Sequence, residues 1–164
     1  MQNPLKKIKV KEPEINMKLN CWAAISYDGA TSLEIYTDNL NGLLYQRILN
    51  AHKQEMEEVY PNGFYYLHDN LPFHQSVHGW MDNNNLERIK LPNSSPDLNV
   101  IENLWYTLKN CAARNAPLTE AALRRSLSWN WEIITTPQNL QPYFESLYTR
   151  YFECMEERGE RLPY

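Results

Sequence analysis

The sequence predicts an α/β fold, a mixed sheet flanked by helices and followed by a helical C-terminal tail. Three observations carry this. Leu19 to Tyr27 alternates with period two, runs into the hairpin pair Asp28-Gly29, and Ser32 to Thr37 returns as a partner strand. Two short strand segments, the aromatic-apolar Phe64 to Leu67 and the later Leu86 to Leu91, are separated by a helical pattern, which is how crossover units enter a sheet. Beyond Val100 the apolar residues recur at helical spacing, interrupted only where prolines fall.

Taken in order, Met1 to Met17 is basic, broken at Pro13, and reads as a mostly extended arm. Within it Ile8 and Val10 alternate with Lys7, Lys9 and Lys11, a pattern suited to a short edge strand guarded by lysines. The next strand puts Leu19, Cys21, Ala23, Ile25 and Tyr27 on one face, and its partner puts Leu33 and Ile35 together. Asn41 is a good N-cap for a helix running to about Val59, with Tyr45, Ile48, Leu49, His52, Met56 and Val59 on its apolar side. Pro61-Asn62-Gly63 stops it, and Phe64 to Leu67 then reads as a short buried strand. Val77 to Asn84 forms a short helix and Leu86 to Leu91 a further strand. Helices follow from about Val100 to Asn115, from Thr119-Glu120 to about Ile134, and from about Gln141 to Arg158, with Pro117 and Pro137 as breaks. The expected division is an arm over residues 1–18, a core over 19–115, and C-terminal helices over 116–164 packed on that core.

At 164 residues, 43% hydrophobic and 12% aromatic, the chain has the material for one well-filled core and is not a disordered segment. Its formal net charge of −4 argues against nucleic-acid affinity from bulk charge, though cations at an acidic site could offset it locally. Cys21, Cys111 and Cys154 are scattered and unpaired in spacing, which fits a reducing compartment, nuclear or cytoplasmic. The basic stretch Lys6 to Lys11 reads either as a nuclear-localisation patch or as a solvated strand. No apolar run is long enough to cross a bilayer, so no membrane partner is expected.

The chemistry is expected between Phe64 and Lys109. The apolar strand stops at His68-Asp69, placing Asp69 where α/β sheets collect ligands, at a strand's carboxyl end. Glu102 falls in the opening turn of the helix that follows Pro96, beside an apolar stripe of Ile101, Leu104, Leu108 and Cys111. Two carboxylates so placed suit a hard divalent cation, which takes oxygen ligands. Each acid also has an ordinary explanation: Glu102 favoured by the helix dipole, Asp69 capping the Asn70-Leu71-Pro72 turn. His74 and His78 share helical spacing, which could indicate a zinc site with Asp69; the other readings are exposed histidines or a His74 that touches a phosphate beside the cation.

Asp69-Asn70-Leu71-Pro72-Phe73-His74 resembles the D-N-x-P-x-H motif of mariner-type DDE transposases. Ser95-Pro96-Asp97-Leu98-Asn99-Val100-Ile101-Glu102-Asn103-Leu104-Trp105, with Leu108-Lys109, is similar to that family's S-P-D-L-N-P-I-E-N-L-W…L-K signature, Val100 standing where the family has proline. Trp22 to Gly29 resembles the strand and turn before both motifs. The resemblance implies a ribonuclease-H-like mixed sheet and DNA strand cleavage and transfer with Mg2+ or Mn2+, two metals being held about 3.5–4 Å apart. It further implies Asp69 and Glu102 as catalytic metal ligands, Asn70, His74 and Lys109 as DNA contacts, and transposon ends as the DNA partner, with homodimerisation left open.

The family's first acid, on a strand upstream of Trp22, has no counterpart here: Glu12 and Glu14 flank Pro13, Asp28 belongs to a turn, and Asp38 ends a strand. In the family that strand is central, between the hairpin and the Phe64 segment, so the fold is expected to be incomplete at its N-terminus unless Leu5 to Lys11 fills the place in part. The family's helix-turn-helix region, which precedes its catalytic domain, is expected to be missing as well. With two of three acids, the chain alone is expected to be a poor or inactive catalyst. The competing expectation is a relic domain that binds DNA or protein, for which the aromatic tail from Trp129 to Phe152 would be either a contact surface or ordinary core packing.

Overall fold

The computed structural model describes residues 17–68, 77–90, 95, 98–114 and 116–157. The chain opens with β1 (Asn20–Trp22), paired antiparallel to β2 (Glu34–Tyr36), so that Cys21 faces Ile35. The turn sits where Asp28-Gly29 indicated: Ile25 and Ala30 form a bridge, and the Ser26 amide donates to the Gly29 carbonyl at 2.7 Å. The strands are shorter than the alternating pattern suggests, since beyond Trp22 the Ala24 amide bonds the Thr31 hydroxyl at 3.0 Å instead of a ladder carbonyl.

Helix α1 (Gly42–Val59) starts as its sequence requires, with the Asn41 side chain accepting from the Leu44 amide at 3.0 Å. Leu44, Tyr45, Ile48, Leu49, His52 and Met56 are buried along it. Val59, expected on that face, is 38% exposed because the last turn runs past the core. Gly63 has φ of 98°, a left-handed conformation that lets the chain reverse into the next strand.

Strand β3 (Tyr65–His68) pairs in parallel with β4 (Glu87–Lys90), Tyr66 opposite Arg88. Between them lies α2 (His78–Asn83), whose Asp82 bonds Arg88 at 2.7 Å and so ties the crossover to β4. The expectation of a fully buried β3 needs correcting. Tyr66 is buried, but Tyr65 is 68% and Leu67 38% exposed, because β3 alternates like any strand covered on one side.

The last three helices are α3 (Ile101–Arg114), α4 (Glu120–Ile134) and α5 (Pro137–Glu156). Thr119 caps α4 through the Ala122 amide at 3.1 Å. Helix α5 begins four residues before the expected Gln141, since Pro137 occupies its first turn, where a missing N–H costs nothing. Proline starts this helix rather than separating it.

Two apolar clusters organise the packing. Trp22 and Tyr36 face α1, α2 and Tyr66, while Cys21, Ala23, Leu33 and Ile35 face Leu104, Leu108, Leu127, Trp131 and Leu140 of the C-terminal helices. The hairpin is therefore covered on both sides. Trp131 donates its indole N–H to the Thr31 carbonyl at 2.9 Å, and Arg124 donates to the Ile35 carbonyl at 2.9 Å. Part of the tail is core packing, with Trp131 and Leu140 buried, whereas Trp129, Tyr148, Tyr151 and Phe152 are exposed. No described helix is long and apolar enough to cross a membrane.

Candidate active site

Glu102 is the second residue of α3, in the turn where a helix presents its free N–H groups and favours negative charge. The approach to it is a series of tight turns: the Leu98 amide bonds the Ser95 carbonyl at 3.3 Å, and the Glu102 amide the Asn99 carbonyl at 3.2 Å. Val100, in place of the family's proline, is buried and anchors this start through its side chain. The helix begins one residue later than expected, and Glu102 keeps its place in the first turn.

Three contacts hold that turn from behind. Leu104 and Leu108 are buried beneath it, and Trp105 stacks on Trp131 with ring centroids 5.3 Å apart. Arg150 of α5, only 5% exposed, donates from Nη1 to the Asn103 side-chain carbonyl at 3.0 Å. Arg150 and Asn103 were missed in the sequence. A signal existed: Arg150 stands three residues after Leu147 on the inward side of an amphipathic helix, where a cation needs a partner.

Glu102 itself is exposed and lines a cavity of about 530 Å³. The same cavity is lined by Phe64 to Leu67, by Trp22 to Tyr27 and by Trp105. So the strand that ends at His68, one residue before Asp69 in the sequence, and the helix that opens with Glu102 face one space. Below β3, the Tyr66 hydroxyl meets the Tyr45 hydroxyl at 3.1 Å, fixing the strand against α1. Lys109 is exposed on α3, about two turns beyond Glu102. Asp69, Asn70 and His74 lie outside the described residues. Among the described residues no group of three or more His, Cys, Asp or Glu is gathered closely enough to hold a metal ion.

Nearer α1 is a second polar group. His52, buried, has Nδ1 3.1 Å from Glu55 and Nε2 3.3 Å from Glu34. Partial burial pushes the Glu55 carboxyl up. The Ser32 amide and hydroxyl, together with the His52 ring, more than offset this and hold it below its ordinary value. The group ties β2 to α1, and Glu55 also contributes to the cavity that Glu102 lines.

Residues 5–123 match the family model described as DDE superfamily endonuclease. The chain is 28% identical over 167 residues to the transposable element Tc3 transposase of Caenorhabditis elegans, covering 94% of this chain and 50% of that protein. It thus spans about half the length of that relative. Among solved structures, the Mos1 transposase catalytic domain with raltegravir and Mn superposes with a TM-score of 0.76 at 19% identity, over 88% of this chain and 76% of that one. A pre-cleavage Mos1 transpososome gives 0.78 at 18% identity, over 99% of this chain and 51% of that one. The chain belongs to the DDE superfamily endonuclease family, and it has the ribonuclease-H-like α/β fold of a mariner transposase catalytic domain.

Proposed function

We propose that this chain is the catalytic-domain part of a DDE-type transposase, built for metal-dependent DNA strand cleavage and transfer. The observation that carries the reading is the shared cavity, to which both the β3 segment leading to Asp69 and the Glu102 turn of α3 contribute. The donor chemistry fits a hard cation: Glu102 places an exposed carboxylate on the cavity wall, and Asp69 would offer another. Magnesium or manganese held there would activate an attacking hydroxyl and steady a leaving phosphate-ester oxygen. The Mn present with the similar Mos1 catalytic domain supports that choice of metal, and the similar Mos1 paired-end complex with left transposon end supports transposon-end DNA as the partner.

The protein's own contribution is placement. Arg150 and the Trp105–Trp131 stack fix the first turn of α3, so Glu102 meets a cation without first being ordered. Lys109 would pair with backbone phosphate, and Asn70 and His74 would contact DNA beside Asp69. Two carboxylates hold a cation less firmly than three, so turnover by the chain alone is expected to be low.

The test is Mn2+ binding followed by electron paramagnetic resonance on the purified chain. Asp69→Asn and Glu102→Gln should each weaken it by about tenfold or more, equivalent to about 1.4 kcal/mol. Binding untouched by either change would overturn the reading. DNA retention should fall steeply with salt, as phosphate contacts require.

A further inference from the structure

Helix α5 is apolar around more of its circumference than its place in the fold uses. Its inner side carries Leu140, Tyr143 and Phe144, which pack into the cluster under the hairpin, and Arg150, which reaches Asn103. Tyr148, Tyr151, Phe152 and Met155 stand at positions i, i+3, i+4 and i+7 and so form one stripe on the outer side. They are 76%, 57%, 59% and 53% exposed. Single exposed hydrophobes are ordinary on any protein. Four in one stripe leave on the order of 400 Å² of apolar surface in water, as much as the largest patch of a typical monomer. The Tyr151 and Phe152 rings meet edge to face with centroids 6.0 Å apart, so part of the stripe is held in shape before anything docks on it.

The charge beside the stripe says what covers it. Glu145 lies one turn before Tyr148 and Glu156 one turn after Phe152; both are exposed, and they share one flank of the stripe. The single base of α5, Arg150, is 5% exposed and bonded to Asn103, so it does not offset them. An acidic flank of this kind repels nucleic-acid phosphate and anionic lipid. A second copy is a poor fit too, because an antiparallel two-fold pair of α5 helices brings the two acidic flanks together along one edge. We propose that the outer face of α5 docks a basic amphipathic helix of another protein. That helix would carry apolar side chains at i, i+3 or i+4 and i+7, with lysine or arginine along the flank that meets Glu145 and Glu156. An area of this size gives a weak, reversible complex. The proposal is independent of the metal chemistry above, since the inner side of α5 supports the Glu102 turn and the outer side receives the partner.

The experiment uses the intact chain and a fluorescein-labelled peptide, Leu-Lys-Lys-Leu-Leu-Lys-Lys-Leu-Leu-Lys-Lys-Leu-Leu-Lys, followed by fluorescence anisotropy. Saturable binding is expected, weakened about tenfold or more by Phe152→Ser and by Tyr148→Ser, because aromatic anchors carry most of the energy of such a contact. Glu145→Lys with Glu156→Lys should weaken it about tenfold or more, whereas Glu57→Lys with Glu58→Lys on α1, the same change in net charge, should leave it within about twofold. Urea midpoints show that the variants remain folded, all six positions being exposed. Absence of binding, equal binding by the α5 variants, or equal loss with the α1 pair overturns the proposal. So does a concentration-dependent dimer in sedimentation that Phe152→Ser abolishes, which would assign the face to a second copy. Affinity that rises about tenfold when residues 158–164 are removed also overturns it, by assigning the face to the chain's own end.

Discussion

Trp131→Phe isolates one hydrogen bond at the junction of hairpin and helices. The indole of Trp131 is 2% exposed, lies 5.3 Å from the Trp105 ring at an interplanar angle of 19°, and donates to the Thr31 carbonyl at 2.9 Å. Phenylalanine keeps an aromatic ring for the stack but has no donor. The Thr31 carbonyl then loses its partner inside the core, at a cost of about 1–3 kcal/mol. The smaller ring leaves a modest void, adding about 1 kcal/mol. A loss of about 2–4 kcal/mol is therefore expected, a large part of the 5–15 kcal/mol typical of a domain. Trp131→Ala should cost more, about 3–5 kcal/mol for the truncation plus the same orphaned carbonyl. Urea unfolding followed by circular dichroism measures both. If Trp131→Phe lies within about 0.5 kcal/mol of the parent chain, within the spread of ordinary surface substitutions, the indole bond does not hold the hairpin and the argument fails.

Other outcomes can be checked in parallel. Asn41→Ala should destabilise by about 1 kcal/mol, read as a lower urea midpoint, because the Leu44 amide loses its cap. Arg150→Met should cost about 1–3 kcal/mol through the lost bond to Asn103 and should also loosen Mn2+ binding, whereas a change in stability with unaltered Mn2+ affinity would separate Arg150 from the Glu102 turn. The Glu55 carboxyl is held below its ordinary value in the folded state, so its contribution is present above the unfolded pKa of about 4.3 and is lost as pH falls through the lower folded value. Glu55→Gln should accordingly be less stable than the parent near neutral pH, with the difference closing in acid; urea midpoints at about pH 7 and about pH 3 test this.

What could be read from the chain was mostly local. Asn41, Thr119 and Asp28-Gly29 act on backbone groups a few residues away, so their structural consequences are visible without the fold. The burial of β3 was not legible: an aromatic run reads as a strand covered on both sides, and only the sheet's actual neighbours decide that Tyr65 and Leu67 face outward. The start of α5 was missed because proline is both a breaker and a first-turn residue, and Pro137 alone does not say which. At the site, the Ser95-to-Trp105 motif located Glu102 and the structure places it on the cavity wall. Arg150 reaches Asn103 across 47 positions of sequence, a pairing that no local pattern announces.

The hairpin's two-sided burial has a mechanical consequence. Successive residues of a strand only three long, Cys21 and Trp22, are shared out between compartments that otherwise have little in common, one built on α1 and the other on the C-terminal helices. Neither compartment can melt while leaving the other's wall standing. The partition welds the described residues, among which there is little sheet, into a single cooperative body, and a ligand that stiffens either compartment will be felt in the other.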